Sequence, residues 1–194
     1  MRRARPAAAS ALILAGLLAG CSADGTDPDA PPPAQAEGPS PFAPCPDQLE
    51  QAVAGGAALP ALAFDCAGGG TLDLARAPGV PTVVNLWGSW CGPCREELPV
   101  LQEFADGAGD RVQVLGVISK DGLPQAESFA VDTAVGFPSA FDGEGELMAQ
   151  LGLNGLPYTA FLAADGTVAH SELGPIASVD ELRGLVAEHL GVQW

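Results

Sequence analysis

Val83-Val84-Asn85-Leu86-Trp87-Gly88-Ser89-Trp90-Cys91-Gly92-Pro93-Cys94-Arg95-Glu96-Glu97-Leu98 is the stretch from which the rest of the chain can be placed. Its apolar entry predicts a strand, its exit, continuing to Phe104, a helix, and the motif between them a tight turn. Cys91 then stands where a helix begins, facing unpaired backbone N–H groups and the positive end of the helix dipole, an arrangement that favours a thiolate. Cys94 lies one turn deeper, within reach of Cys91 for a disulfide, and Pro93 suits an opening turn because its missing N–H would have no partner there. The pair can cycle between dithiol and disulfide.

A Cys-x-x-Cys is also half of a zinc site or a plain structural link. A zinc site requires a second ligand pair at suitable spacing, and outside the motif there are only scattered cysteines and two distant histidines, His170 and His189. The strand-turn-helix context and the flanking Trp90 favour redox chemistry, with no metal and no cofactor beyond the Cys91–Cys94 pair itself.

The front of the chain sets its address. Arg2, Arg3 and Arg5 precede an almost wholly apolar run from Ala7 to Ala19, which ends in Leu18-Ala19-Gly20-Cys21. The run is shorter than the about 18 to 20 residues a membrane-spanning helix needs, and it resembles a bacterial lipoprotein signal. That resemblance implies a signal peptide over residues 1–20, a lipid on Cys21 and attachment to the extracytoplasmic face of the bacterial cell membrane; an ordinary secretory signal is the alternative. Loss of residues 1–20 removes three of the eight Lys+Arg and none of the 24 Asp+Glu, leaving five basic residues against 24 acidic ones, a formal charge of −19. So acidic a protein is not expected to bind nucleic acid, nor to adhere to anionic lipid by charge.

Residues 21–44, with Pro31-Pro32-Pro33 and Gly38-Pro39-Ser40-Pro41, cannot build a core and read as a semi-extended tether. Residues 45–194 are expected to form one domain. Within it, a short helix is predicted over Gln48–Val53, and a hairpin from Ala61–Phe64 to Thr71–Leu74 around Gly68-Gly69-Gly70. Beyond the motif, Val112–Ile118 reads as a strand covered on both faces, Pro124–Thr133 as a helix, Phe137–Phe141 as a short strand and Glu144–Leu151 as a short helix. Tyr158–Leu162 and Val168–Glu172 flank the Asp165-Gly166 turn signal, and Val179–Leu190 closes the chain as an amphipathic helix.

Trp87-x-x-Trp90-Cys91-Gly92-Pro93-Cys94, the later Gly155-Leu156-Pro157-Tyr158-Thr159 and the terminal strand-strand-helix together resemble the thioredoxin superfamily, and more closely its membrane-tethered TlpA/ResA-type disulfide reductases. The resemblance implies an α/β thioredoxin-like fold: a central mixed sheet flanked by helices, an N-terminal hairpin extension and an inserted βα segment before a cis-proline, Pro157. It implies that Cys91 attacks a substrate disulfide and Cys94 resolves the mixed disulfide. Trp90, Gly92, Pro93, Leu156 and Pro157 would bind the substrate segment, and Pro99 would kink the helix.

Two features depart from the thioredoxin pattern. Where many thioredoxins carry a buried aspartate, this chain has Asn85, which cannot move a proton; Glu97, three residues after Cys94, is the candidate acceptor, matching the ResA-type subgroup. A solvated first-turn carboxylate is the alternative for Glu97. Cys45 and Cys66 are the other departure. In an exported protein they are expected to form a structural disulfide, with an electron relay to Cys91–Cys94 as the alternative. Trp87 is expected beneath the motif, Trp90 exposed beside it, and His170, His189 and Trp194 have no assigned role.

The expected function is therefore an enzyme, an extracytoplasmic thiol-disulfide oxidoreductase that reduces protein disulfides. Its expected partners are disulfide-bearing client proteins and a membrane electron donor of thiol type. The resemblance adds cytochrome c maturation as a role, and a monomer is the expected working form. A metal- or client-binding module without turnover and a disulfide oxidase remain as alternatives.

Overall fold

The computed structural model describes residues 38–194. The segment 1–20 expected as a signal, Cys21 and most of the expected tether lie outside the described residues. Among the described residues no helix is long and apolar enough to cross a membrane.

The chain runs β1 (Ala63–Asp65), β2 (Thr71–Asp73), β3 (Thr82–Trp87), α1 (Gly92–Ala108), β4 (Gln113–Ser119), α2 (Leu123–Thr133), β5 (Ser139–Asp142), α3 (Glu146–Gln150), β6 (Tyr158–Leu162), β7 (Val168–Leu173) and α4 (Val179–Leu190). β1 and β2 form an antiparallel hairpin, and the remaining strands a mixed sheet in the order β5-β4-β3-β6-β7. β4 lies parallel to β3 and β5 parallel to β4, whereas β6 and β7 run antiparallel. This is the thioredoxin-like arrangement, with β3 at its centre.

β3 is buried along its whole length because the sheet is covered on both faces, which is why its apolar run is nearly continuous. Successive side chains alternate. Val83 and Trp87 join a cluster with Leu98, Leu101 and Phe104 of α1, Phe129 of α2 and Leu182 and Val186 of α4. Val84 and Leu86 join the opposite cluster with Leu72 of the hairpin and Leu147 and Met148 of α3.

Helix ends follow their caps. Ser178 Oγ accepts the Glu181 amide at 3.2 Å to open α4, and Gly191 closes it at φ 70°. α1 begins at Gly92, directly after the motif's first cysteine, because Cys91 itself serves as N-cap.

Two expectations need correction. Residues 48–53 form no helix. The Gln48 side chain instead bonds the backbone of Asp73 twice, accepting its N–H at 2.7 Å and donating to its carbonyl at 3.0 Å, and Val53 N donates to Ala75 O. These bonds hold the segment extended along the residues that follow β2. The folded part also starts before Cys45. Phe42 is 4% exposed and its ring lies 6.1 Å from that of Trp87, while Ala43 N donates to Gly136 O. Gly68 permits this approach, since a Cβ there would collide with the Phe42 and Ala43 carbonyls.

Candidate active site

The site is built at the carboxyl end of β3 and the first turns of α1. Cys91 and Cys94 are joined in a disulfide, with Cα atoms 5.3 Å apart. Cys91 Sγ accepts the Cys94 amide at 3.2 Å, so the sulfur sits on an N-terminal donor of the helix. Cys91 is 4% exposed and Cys94 fully buried, which leaves Cys91 as the more accessible sulfur of the pair. Around it Trp90, Gly92 and Pro93 are exposed, Trp90 at 54%.

Leu156–Pro157 is a cis peptide bond. It lies just ahead of β6, whose ladder begins at Tyr158 opposite Leu86. Pro157 is buried and its carbonyl accepts the Gly174 amide at 3.0 Å. Leu156 is half-buried and packs against the apolar cluster that contains Cys91 and Cys94.

Glu97 is not the solvated carboxylate of the alternative reading. It lies on the buried face of α1 with Cys94, Leu98 and Leu101, and is 1% exposed. Its Oε2 accepts from Asn85 Nδ2 at 2.9 Å and its Oε1 from the Ile176 amide at 2.9 Å. Burial pushes its pKa from 4.5 up to about 7; the Ile176 and Asn85 hydrogen bonds hold the rise back, and the nearby Glu181 charge adds to it. Positions i and i+3 on a helix are neighbours, with Cβ atoms about 5 to 6 Å apart, so a carboxyl that titrates near neutrality stands one turn from Cys94. Glu96 is exposed.

Asn85 thus has a place in the site although it carries no proton. Its amide also donates to Thr159 Oγ1 at 2.9 Å, across the β3–β6 pair in which Asn85 faces Thr159. Asn85 Oδ1 and Trp87 Nε1 are the buried side-chain polar atoms without a partner among the described residues, and both belong to the strand under the motif. Such unsatisfied polarity is rare in ordinary cores.

Sequence reasoning missed Ile176, Thr159 and Asp121. Ile176 acts through its backbone, which no side-chain pattern announces. Thr159 becomes visible only once strand register places it opposite Asn85. Asp121 sits in the loop after β4, where its carboxylate accepts the Ser89 amide, the Ser89 hydroxyl at 3.1 Å and the Gly122 amide at 2.9 Å.

Cys45 and Cys66 are joined in a second disulfide, with Cα atoms 6.0 Å apart. Cys66 belongs to the apolar cluster on the opposite face of the sheet from Cys91 and Cys94, and bridges to Ala140 of the edge strand β5. His170 and His189, far apart in sequence, stack with ring centroids 3.8 Å apart, and His170 Nε2 pairs with Glu172 Oε1 at 2.6 Å. Trp194 packs edge-on against Phe104 and donates to the Arg183 carbonyl.

Comparison with known proteins places this geometry. The Redoxin family model matches residues 54–186, more than half of the chain. The chain is 34% identical over 114 residues to the thiol:disulfide interchange protein CycY of Rhizobium leguminosarum bv. viciae, covering 58% of this chain and 60% of that protein. It is 31% identical over 104 residues to the sporulation thiol-disulfide oxidoreductase A of Bacillus subtilis, covering 52% and 63%. The match thus spans about three fifths of these relatives' length. Among solved structures, it is similar to a secreted Mycobacterium tuberculosis disulfide oxidoreductase homologous to Escherichia coli DsbE, at 28% identity and TM-score 0.58 over 66% of this chain and 96% of that one.

Proposed function

The chain belongs to the redoxin family, and on that premise we propose that it is an extracytoplasmic thiol-disulfide oxidoreductase of the TlpA/ResA type that reduces protein disulfides through Cys91 and Cys94. The observation that carries this reading is a half-shielded disulfide at a helix N-terminus, with the reachable sulfur on a backbone donor and a carboxyl of near-neutral pKa one turn from its buried partner.

The cycle balances on these groups. In the dithiol form the Cys91 thiolate, stabilised by the Cys94 amide and the helix dipole, attacks one sulfur of a client disulfide. The client's S–S bond breaks, its other sulfur leaves as a thiolate and takes up a proton, and a Cys91–client mixed disulfide forms. Cys94 then loses its proton to Glu97 and attacks Cys91 Sγ. The second client thiolate leaves and takes up a proton, Glu97 gives its own back to solvent, and Cys91–Cys94 is restored as the disulfide. A thiol-type membrane donor returns two electrons and two protons to close the cycle.

Trp90, Gly92 and Pro93 form the exposed rim on one side of Cys91, and Leu156 ahead of β6 offers backbone on the other, suited to an extended client segment pairing like an added strand. We assign Cys45–Cys66 to stapling, because the sheet separates it from Cys91–Cys94 and a relay requires sulfur to meet sulfur. Residues 1–20 as an export signal and a lipid on Cys21 complete the reading as its membrane tether. The apocytochrome c thiols implied by the family resemblance are the first client class to try.

Equilibrium titration of Cys91–Cys94 against a thiol buffer of known potential tests the direction. A potential in the range of reducing thioredoxins, near about −270 mV, supports a reductase, and one near about −120 mV makes the protein an oxidase instead.

A further inference from the structure

Two loops meet at the carboxyl end of the sheet. β3 and β4 are parallel neighbours, so the segments leaving them, Gly88–Trp90 and Lys120–Gly122, lie side by side. Asp121 accepts the amide and the hydroxyl of Ser89, and Lys120, in the left-handed region at φ 52°, presents its carbonyl to Trp90 Nε1 at 2.9 Å. Gly88 leaves room for the indole, since a Cβ there would stand 2.6 Å from Trp90 Nε1. All of these contacts end on the three residues before Cys91.

We propose that Asp121 is a positioning residue of the exchange reaction, whose carboxylate fixes Ser89 so that Trp90 stands as a preformed platform for the client segment bound to Cys91. This rests on the oxidoreductase reading above. Trp90 is more than half exposed, so packing alone does not settle its orientation; polar contacts must. A carboxylate accepting a backbone N–H is among the stronger such contacts, and a platform held ready lowers the ordering cost of binding. Helix capping does not account for Asp121. α2 starts from Gly122 without a side-chain cap bond, and two of the three Asp121 contacts run to Ser89.

The test combines the three tryptophan indole N–H resonances of the ¹⁵N-labelled protein with steady-state reduction of a disulfide-bridged peptide by dithiothreitol. Asp121→Ala is expected to shift the Trp90 resonance, assigned by Trp90→Phe, and to speed its solvent exchange, with Trp87 and Trp194 unmoved. KM for the peptide is expected to rise on the order of tenfold while kcat stays within about twofold, from the loss of the charge-assisted hydrogen bonds to Ser89. Asp121→Asn, which keeps one acceptor for Ser89 N–H, recovers most of the KM. Gly88→Ala, which leaves the carboxylate in place, reproduces the Trp90 shift. Movement of all three resonances together, or a fall in kcat with KM unchanged, overturns the proposal. Failure of the wild-type protein to turn over the peptide rejects the oxidoreductase reading, and with it a role for Asp121 in exchange; the resonances then report only whether Asp121 holds Trp90.

Discussion

Asn85 on β3 and Glu97 on α1 meet at the buried interface of sheet and helix, the amide donating to the carboxyl at 2.9 Å where neither residue is more than 1% exposed. A residue unable to carry a proton thus tunes one that can. The pairing links fold to chemistry, because the same register that centres β3 in the sheet sets Asn85 against the buried face of α1.

Stability should fall as pH rises through Glu97's titration. The folded-state pKa of about 7 lies above 4.5, so between those values the folded protein holds a proton that the unfolded chain has lost. The Glu97 contribution is therefore fully present below pH 4.5 and is lost as pH approaches 7, by about 3 kcal/mol in all. Denaturant unfolding of the oxidised protein across this window should show the decline, and Glu97→Gln should flatten it. An equal slope in both proteins would place the titrating group elsewhere.

In exchange kinetics Glu97 must be ionised to take the Cys94 proton, so the rate of mixed-disulfide resolution should climb through pH 7. Glu97→Gln should remove that step and slow resolution at neutral pH on the order of 10²-fold, the lower end of general-base contributions. Stopped-flow release of the client thiol is the readout, and an unchanged pH profile would remove Glu97 from the mechanism.

Asn85→Ala deletes one of the two hydrogen bonds that hold Glu97's pKa down. The step in the same pH profile should then move to higher pH, with its height kept. A shift to lower pH would mean that Asn85 favours the protonated carboxyl.

The second disulfide closes a loop between residues 21 positions apart and ties the segment carrying Phe42 to the domain. Replacing both Cys45 and Cys66 by Ser should cost about 3 kcal/mol of stability by the chain-entropy argument. Exchange at Cys91 should persist, since the sheet lies between the two disulfides. Loss of exchange in a folded double variant would restore the relay.

The motif made most of the fold legible. Its strand-turn-helix setting located β3 and α1; the continuous apolar run of 112–118, the Asp165-Gly166 turn signal and the helical spacing of the last apolar residues located β4, β6, β7 and α4 within one or two residues. The helix expected over Gln48–Val53 failed because Gln48 spends its side-chain amide on the backbone of Asp73, a partner 25 residues away. Phe42 looked like part of a proline-rich tether, since nothing local shows that its ring packs near Trp87. At the site, the pairing of Cys91 with Cys94 at a helix start followed from spacing and helix geometry. The burial of Glu97 and its bond to Ile176 depend on how α4 approaches α1, and no short-range signal carries that.

Trapping the mixed disulfide tests the central assignment most directly. Cys94→Ser, reduced and then mixed with a disulfide-bridged peptide, should accumulate a stable adduct at Cys91, identified by peptide mass, whereas Cys91→Ser should form little or none because Cys94 is fully buried. Equal adducts in the two variants, or none in Cys94→Ser, would contradict the account.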